Sequence, residues 1–307
     1  MKKLLITGIS GGQAKVLTRL LAPGNSVCGV DPVPWPGAPR GVKIYPVDLR
    51  KRPFEDVISA ERPDAVIHLG FIRHFELAAR RRREISVQGT ERLLQHCTRY
   101  GVSQLIVVSS SYVYGARPEN PFHLDEVASL SANREHSELS DLVEVDSIAT
   151  SFLWRAPELA TCVLRPVSVL GSTVRSMAAR YLRQRRVPTV LGFDPMMQFV
   201  HEEDVARAIE LALEQGLRGV YNVVGSGEVP IRTAIAACGR SAWPLPEFLL
   251  RSALGTRLQR AARTGFPEGI VDYLKYPVTL SGDRFAAETG FEPHYGLADC
   301  FESVRSR

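Results

Sequence analysis

Lysine is scarce in this chain of 307 residues, occurring only at positions 2, 3, 15, 43, 51 and 275. Arginine therefore carries most of the formal charge of +5, and chemistry that needs an ammonium group has few places to find one. Cysteine is also sparse: Cys28, Cys97, Cys162, Cys238 and Cys300 are odd in number and form no C-x-x-C pair. That pattern argues against a disulfide framework and against a zinc site, so no metal is expected. A thiol inside an apolar strand, as at Cys28 and Cys162, behaves as a small buried hydrophobe, which suits a reducing, cytoplasmic setting. Long apolar runs are missing as well. The first stops at Gly8, too short for a signal-peptide core, and nothing approaches the roughly 20 residues of a membrane span. No membrane association is expected. The one dense basic run, Arg80 to Arg83, has no interleaved aromatics. It reads as a solvated helix or interface surface, and nucleic acid is not an expected partner.

The chain does have the composition of a packed globular protein, 45% hydrophobic and 23% charged. Short runs rich in Val, Ile and Leu end in Gly, Asp or Ser and alternate with helix-compatible stretches, the pattern of a parallel sheet wound with helices. Strands are predicted at Lys3 to Thr7, Ser26 to Asp31, Val42 to Val47, Asp64 to Leu69, Gln104 to Ser109 and Ala160 to Leu164. Helices are predicted at Gln13 to Leu21, Phe54 to Glu61, Glu84 to Tyr100 and Glu135 to Trp154. Near-continuous apolar strands are those covered on both faces. Prolines mark Trp35 to Pro39 and Trp243 to Pro246 as irregular connections.

After Gly171 the alternation weakens. Helical stretches at Arg175 to Arg186 and Glu203 to Glu214, a strand at Val220 to Val224 and a basic helical region at Leu249 to Arg263 suggest a smaller lobe. The expected fold class is α/β, a doubly wound Rossmann-type parallel sheet with a smaller C-terminal substrate lobe. Residues 1–170 would form the dinucleotide-binding domain, which also receives segments from about 195–225, and residues 171–307 the interleaved lobe.

The first predicted strand runs into Thr7-Gly8-Ile9-Ser10-Gly11-Gly12-Gln13-Ala14. Glycine there lets the backbone approach a pyrophosphate, and the free N–H groups at the start of the following helix meet its charge. Asp31 closes the second strand, 23 residues after Gly8, where a carboxylate can accept the adenosine ribose hydroxyls and repel the extra phosphate of NADP. NAD is expected over NADP, with Arg40 standing nearby as the counter-argument. A plainer reading of Asp31 is a turn-initiating residue before Pro32.

Taken together, these and several further stretches resemble the extended short-chain dehydrogenase/reductases, the group of NAD-dependent sugar-nucleotide epimerases and dehydratases. Asp48-Leu49 looks like the acidic step beside the adenine, and His68-Leu69-Gly70-Phe71 like the H-L-A-A loop behind the phosphates. Val87-Gln88-Gly89-Thr90 resembles the N-V-x-G-T helix start, Ser109-Ser110-Ser111-Tyr112-Val113-Tyr114-Gly115 the S-S-x-x-V-Y-G motif, and Leu164-Arg165-Pro166-Val167-Ser168-Val169-Leu170-Gly171 the L-R-P-x-x-V-x-G stretch by the nicotinamide. Phe199 to Ala206 matches F-V-H-x-x-D-V-A.

The resemblance implies a cofactor site made of Gly8, Ser10, Gly11, Gly12, Gln13, Asp31, Asp48, Leu49, Leu69, Gly70, Ser109, Pro166 and Ser168. It implies a small-molecule substrate such as a nucleotide sugar, bound through Ser110 at the reacting oxygen, and a homodimer formed through two long helices, Glu84 to Tyr100 and Glu135 to Trp154.

The family's tyrosine and lysine, four residues apart, are absent. No tyrosine lies between Tyr114 and Tyr181 and no lysine between Lys51 and Lys275. Linear spacing puts His136 at the tyrosine's place and Ser140 at the lysine's. Three readings stay open: substitutes run the chemistry, with His136 as proton carrier and Ser110 or Tyr112 on the substrate oxygen; the protein is a non-catalytic NAD-binding sensor; or His136 is a surface histidine.

Overall fold

The computed structural model describes residues 1–71, 79–132, 139–252 and 268–306. Six of its strands occupy the predicted apolar runs: β1 (Lys3–Thr7), β2 (Ser26–Val30), β3 (Lys43–Tyr45), β4 (Ala65–His68), β5 (Gln104–Val108) and β6 (Ala160–Pro166). Helices α1 (Gly12–Leu21), α2 (Arg52–Glu61), α3 (Ala79–Arg99) and α4 (Ser140–Arg155) lie between them. The predicted start of the last helix near Glu135 lies outside the described residues.

With β10 (Gly219–Val223), these strands make one seven-stranded sheet in the order β10-β6-β5-β4-β1-β2-β3, and every pairing in it is parallel. Leu4, Leu5, Ile6, Val66, Ile67, Leu105 and Ile106 are fully buried, which is what helices on both faces require of an uninterrupted aliphatic strand. Strand order reverses between β1 and β4, and a crevice opens beyond the carboxyl ends of the strands at that reversal.

Smaller elements fill the rest. β7 (Ser168–Leu170), β9 (Met196–His201) and β11 (Glu228–Pro230) form a three-stranded sheet, and β8 (Arg186–Val190) pairs with β12 (Ser241–Leu245). Helices α5 (Met177–Leu182), α6 (Glu202–Glu214), α7 (Ile231–Ala237), α8 (Glu247–Arg251), α9 (Asp283–Thr289) and α10 (Leu297–Arg305) accompany them. The predicted helix from Arg175 to Arg186 is shorter, because Arg186 already belongs to β8. Of the basic helical region at Leu249 to Arg263, α8 covers the beginning, and residues 253–263 lie outside the described residues.

Two expectations are corrected. Trp243-Pro244 is not an irregular connection but part of β12, paired in parallel with Pro188-Thr189. A two-stranded sheet has only edge strands, which tolerate a missing N–H donor. The arginine run is not a solvated face throughout: Arg82 is buried and paired with the equally buried Asp141 of α4 at 3.2 Å. Its neighbour Arg83 pairs with Glu144 of the same helix at 2.6 Å, so the run ties α3 to α4.

All five cysteines are free and buried. Burial pushes the Cys28 and Cys300 thiols up to about 12 and Cys238 to about 11, and raises Cys97 and Cys162 as well. Since the thiolate is the reactive form, the native protein should titrate with less than one equivalent of an aromatic disulfide reagent at pH 8, and with five after denaturation. Rapid labelling of two or more native thiols would contradict this packing.

Candidate functional site

β1 hands directly into the glycine turn, and the turn is shaped by contacts that exclude side chains. Gly8 sits at φ +68°, and a Cβ there would come within 2.7 Å of the Gly70 Cα and 2.9 Å of the Leu69 carbonyl oxygen. Thr7 fixes that approach, because its hydroxyl oxygen accepts the Leu69 and Gly70 N–H groups at 3.2 and 3.0 Å. The same hydroxyl is 2.7 Å from His68 Nδ1. On the far side of that ring, Nε2 lies 2.9 Å from the Thr90 hydroxyl, which spends its own proton on the Ser86 carbonyl. Nε2 therefore carries the ring proton, and Thr7 donates to Nδ1. This buried chain locks the His68-Leu69-Gly70 loop against the turn.

Two clefts meet at the turn and share Gly8, Gly11 and Leu69. One, of about 390 Å³, runs over the ends of β2 and β3 between Asp31, Val33, Asp48, Leu49, Gly70, Phe71 and Ile85. Asp31 accepts hydrogen bonds from the Ser10 N–H at 3.1 Å and the Val33 N–H at 2.8 Å. It thus caps its own turn as the plainer reading expected, and its two oxygens keep lone pairs for further donors. Ser10 does not line either cleft; its hydroxyl is turned to the Val33 carbonyl at 2.5 Å. Asp48 holds Arg50 in a two-pronged pair, with Oδ2 2.6 Å from Nη2; hydrogen bonds from that guanidinium keep its carboxyl below the usual range.

The second cleft, of about 210 Å³, passes from Gly12 and Gln13 to Ser109, Ser110, Tyr112, Pro166 and Ser168. Ser110 caps a 3-10 turn at 111–114, its hydroxyl oxygen accepting the Tyr112 N–H at 3.3 Å; its proton remains available to donate. Burial raises the pKa of the Tyr112 hydroxyl, and Ser168 lines the same cleft. Tyr112 also packs on Tyr273, whose hydroxyl donates to the Tyr112 carbonyl at 2.6 Å.

Beneath them Ser109 donates to Asp146 at 2.5 Å, and Asp146 is paired with Arg165 at 2.6 Å, both side chains buried. Gln13 Oε1, in the wall of this cleft, is a buried acceptor without a partner among the described residues, while its Nε2 donates to the Glu202 carbonyl at 2.9 Å. The two joined clefts thus offer a backbone turn free of side chains, a carboxylate at one end, hydroxyls at the other and an open acceptor between, a wall suited to an extended dinucleotide.

His136 lies outside the described residues. Ser140 opens α4 and does not line the cleft; Leu142 does. The register follows from Asp146, which must face inward to meet Ser109 and Arg165. Leu142 stands one turn before it on the same face, and Ser140 is rotated some 200° from Leu142 at about 100° per residue. An apolar side chain therefore occupies the helix face toward the cleft. Spacing counted from Ser110 runs through residues 133–138, outside the described residues, and does not by itself fix that register. Arg175 was missed as well, belonging to no motif, and it also lines this cleft. Among the described residues no three His, Cys, Asp or Glu side chains are grouped to hold a metal, and no helix is long and apolar enough to cross a membrane.

Comparison with known proteins agrees with this geometry. The profile of the NAD dependent epimerase/dehydratase family matches residues 4–224, and the chain belongs to that family. It is 26% identical over 258 residues to an uncharacterized protein of Mycobacterium tuberculosis, covering 83% of this chain and 68% of that one. It is 26% identical over 318 residues to dTDP-glucose 4,6-dehydratase of Streptomyces griseus, covering 96% and 90%. Among solved structures, UDP-glucose 4-epimerase of Thermus thermophilus in complex with NAD superposes with a TM-score of 0.76 at 22% identity, over 99% of this chain and 98% of that one. At that identity the superposition speaks for the fold.

Proposed function

We propose that the protein binds NAD along the two joined clefts and exchanges hydride with a carbinol or ketone of a nucleotide sugar or a comparably polar substrate. The observation that carries this reading is the continuity of the cleft from Asp31, past the glycine turn, to the hydroxyls of Ser110, Tyr112 and Ser168. Asp31 favours NAD over NADP, since a ribose 2′-phosphate would meet a carboxylate. When bound, NAD supplies the hydride acceptor. Ser110 would donate its free hydroxyl proton to the reacting oxygen, and Tyr112, in the same cleft wall, stands two residues away to move the proton. His136 stays the second candidate for that proton. A homodimer through α3 and α4 and a cytoplasmic setting complete the reading.

A second reading, an NAD-binding protein without turnover that reports its ligand state to a partner, is favoured by Leu142. With an apolar group in the cleft and burial raising the Tyr112 hydroxyl, no ammonium among the described residues lowers the phenol toward neutral pH.

The test is NAD titration together with NADH formation and epimer exchange over a panel of nucleotide sugars. Turnover of at least one substrate, reduced at least about 100-fold by Ser110→Ala, is the expected result. Tight NAD binding without turnover would move the conclusion to the second reading, and absence of saturable NAD binding would defeat both. In the same assay Leu142→Lys should tighten NAD binding or raise turnover, whereas Ser140→Lys, on the wrong helix face, should change neither.

A further inference from the structure

Between β7 and α5 the chain crosses the rim of the second cleft, and it is pinned there to an unusual degree. The buried carboxylate of Glu202, at the start of α6, accepts the Thr173 N–H at 2.9 Å, the Val174 N–H at 2.7 Å and the Ser172 hydroxyl at 3.3 Å. Gly171 makes room for that carboxylate: a Cβ there would lie 2.1 Å from its carboxyl carbon. Arg183 holds the opposite side of the same loop, donating to the Gly171 and Val174 carbonyls at 2.7 and 3.1 Å. The loop rests on the glycine turn itself, since a Cβ on Gly12 would come within 2.4 Å of the Thr173 carbonyl oxygen. Immediately beyond, Ser176 is fixed by donating to the Val169 carbonyl at 2.5 Å and accepting the Ala179 N–H at 3.0 Å.

Arg175 is the residue between these two anchored points. It is exposed, it lines the cleft between the glycine turn and Ser110, and among the described residues it has no hydrogen-bonded or ionic partner. Among the described residues it is also the only charged side chain in the walls of that cleft, the acids Asp31 and Asp48 belonging to the other. An arginine without an anion, on a backbone that is already ordered, can take a phosphate without the entropic cost of fixing the loop. Its planar fork suits the bidentate geometry of phosphate oxygens.

We infer that Arg175 receives a phosphate group of the ligand in this cleft, presented by a loop that Glu202 positions. The inference rests on the reading of the cleft as a nucleotide site. The phosphate is either the cofactor's pyrophosphate or the diphosphate of a nucleotide-sugar substrate, and binding measurements distinguish them.

Isothermal titration of the full chain with NAD and, separately, with UDP-glucose would be run for wild type, Arg175→Gln, Arg175→Lys and Glu202→Gln. Arg175→Gln should weaken one ligand roughly tenfold, as expected for a hydrogen bond to a charged group at an open site. It should flatten the salt dependence of that ligand's affinity and leave the thermal midpoint unchanged, and Arg175→Lys should recover part of the loss. A loss confined to NAD assigns the cofactor pyrophosphate, and a loss confined to UDP-glucose assigns the substrate diphosphate.

Glu202→Gln should weaken the same ligand, and the double variant should bind no more weakly than Arg175→Gln alone; additive losses would overturn the positioning part. Wild-type binding that Arg175→Gln leaves untouched for both ligands overturns the inference while the function stands. Failure of wild type to bind either ligand overturns both.

Discussion

Replacing Arg165 by methionine is expected to lower the free energy of unfolding by about 3–5 kcal/mol, the usual cost of stripping one partner from a buried ion pair. Arg165 and Asp146 have side-chain exposures of 4% and 0%, so water cannot replace the lost partner. Burial works against the guanidinium's charge, and the hydrogen bonds and charge of Asp146 more than restore it, raising its pKa. Arg165 also donates to the Tyr114 hydroxyl at 2.9 Å and the Glu126 carbonyl at 3.2 Å. Burial holds Tyr114 up at about 12, so it remains the donor to Asn222 Oδ1 at 2.7 Å. Through Asp146 the pair reaches Ser109, next to Ser110. Urea unfolding should show the loss, and any turnover should fall with it. The Arg165→Met, Asp146→Leu double variant should recover part of the stability, because two apolar groups leave no buried charge unpaired. A single variant within about 1 kcal/mol of wild type would show that the buried pair does not hold this part of the core together.

What could be read in the sequence was what is local. The strands are continuous aliphatic runs, and Lys3–Thr7 was placed to the residue because Gly8 ends it. The glycine turn and Asp31 were visible because a turn's requirements fall on adjacent positions. Relations across the fold were not visible. Glu202 meets residues about 30 positions earlier, and nothing in the order of residues 171–176 announces a carboxylate beneath them. Arg82 looked like one more surface arginine in a run of four, and only the packing of α3 on α4 singles it out. Leu142 could have been found by asking which acid on α4 neutralises Arg165 and counting back one turn, a signal stronger than spacing from Ser110. Trp243-Pro244 reads as a turn from proline preference alone, and only the pairing with β8 shows that the strand has a free edge.

Gly8→Ala should abolish NAD binding within practical concentrations, a loss of at least about 100-fold, and the reason separates backbone strain from crowding. At φ +68° an alanine pays roughly 1–2 kcal/mol for the left-handed conformation alone. That term is common to Gly41, at φ +87° with nothing within 4 Å of its would-be Cβ. Gly41→Ala should therefore cost stability and leave NAD binding nearly unchanged.

At Gly8 the added methyl meets main chain, Gly70 Cα at 2.7 Å and Leu69 O at 2.9 Å, and backbone held by Thr7 and His68 cannot yield as a flexible side chain would. Either the Leu69-Gly70 loop moves off the turn or the turn opens. Both widen the seam where the two clefts join, which is where the centre of an extended dinucleotide would lie. Calorimetric titration of both variants, with thermal midpoints measured alongside, gives the comparison. If Gly8→Ala and Gly41→Ala lose stability alike and bind NAD alike, the close approach at the turn does not shape the cofactor site.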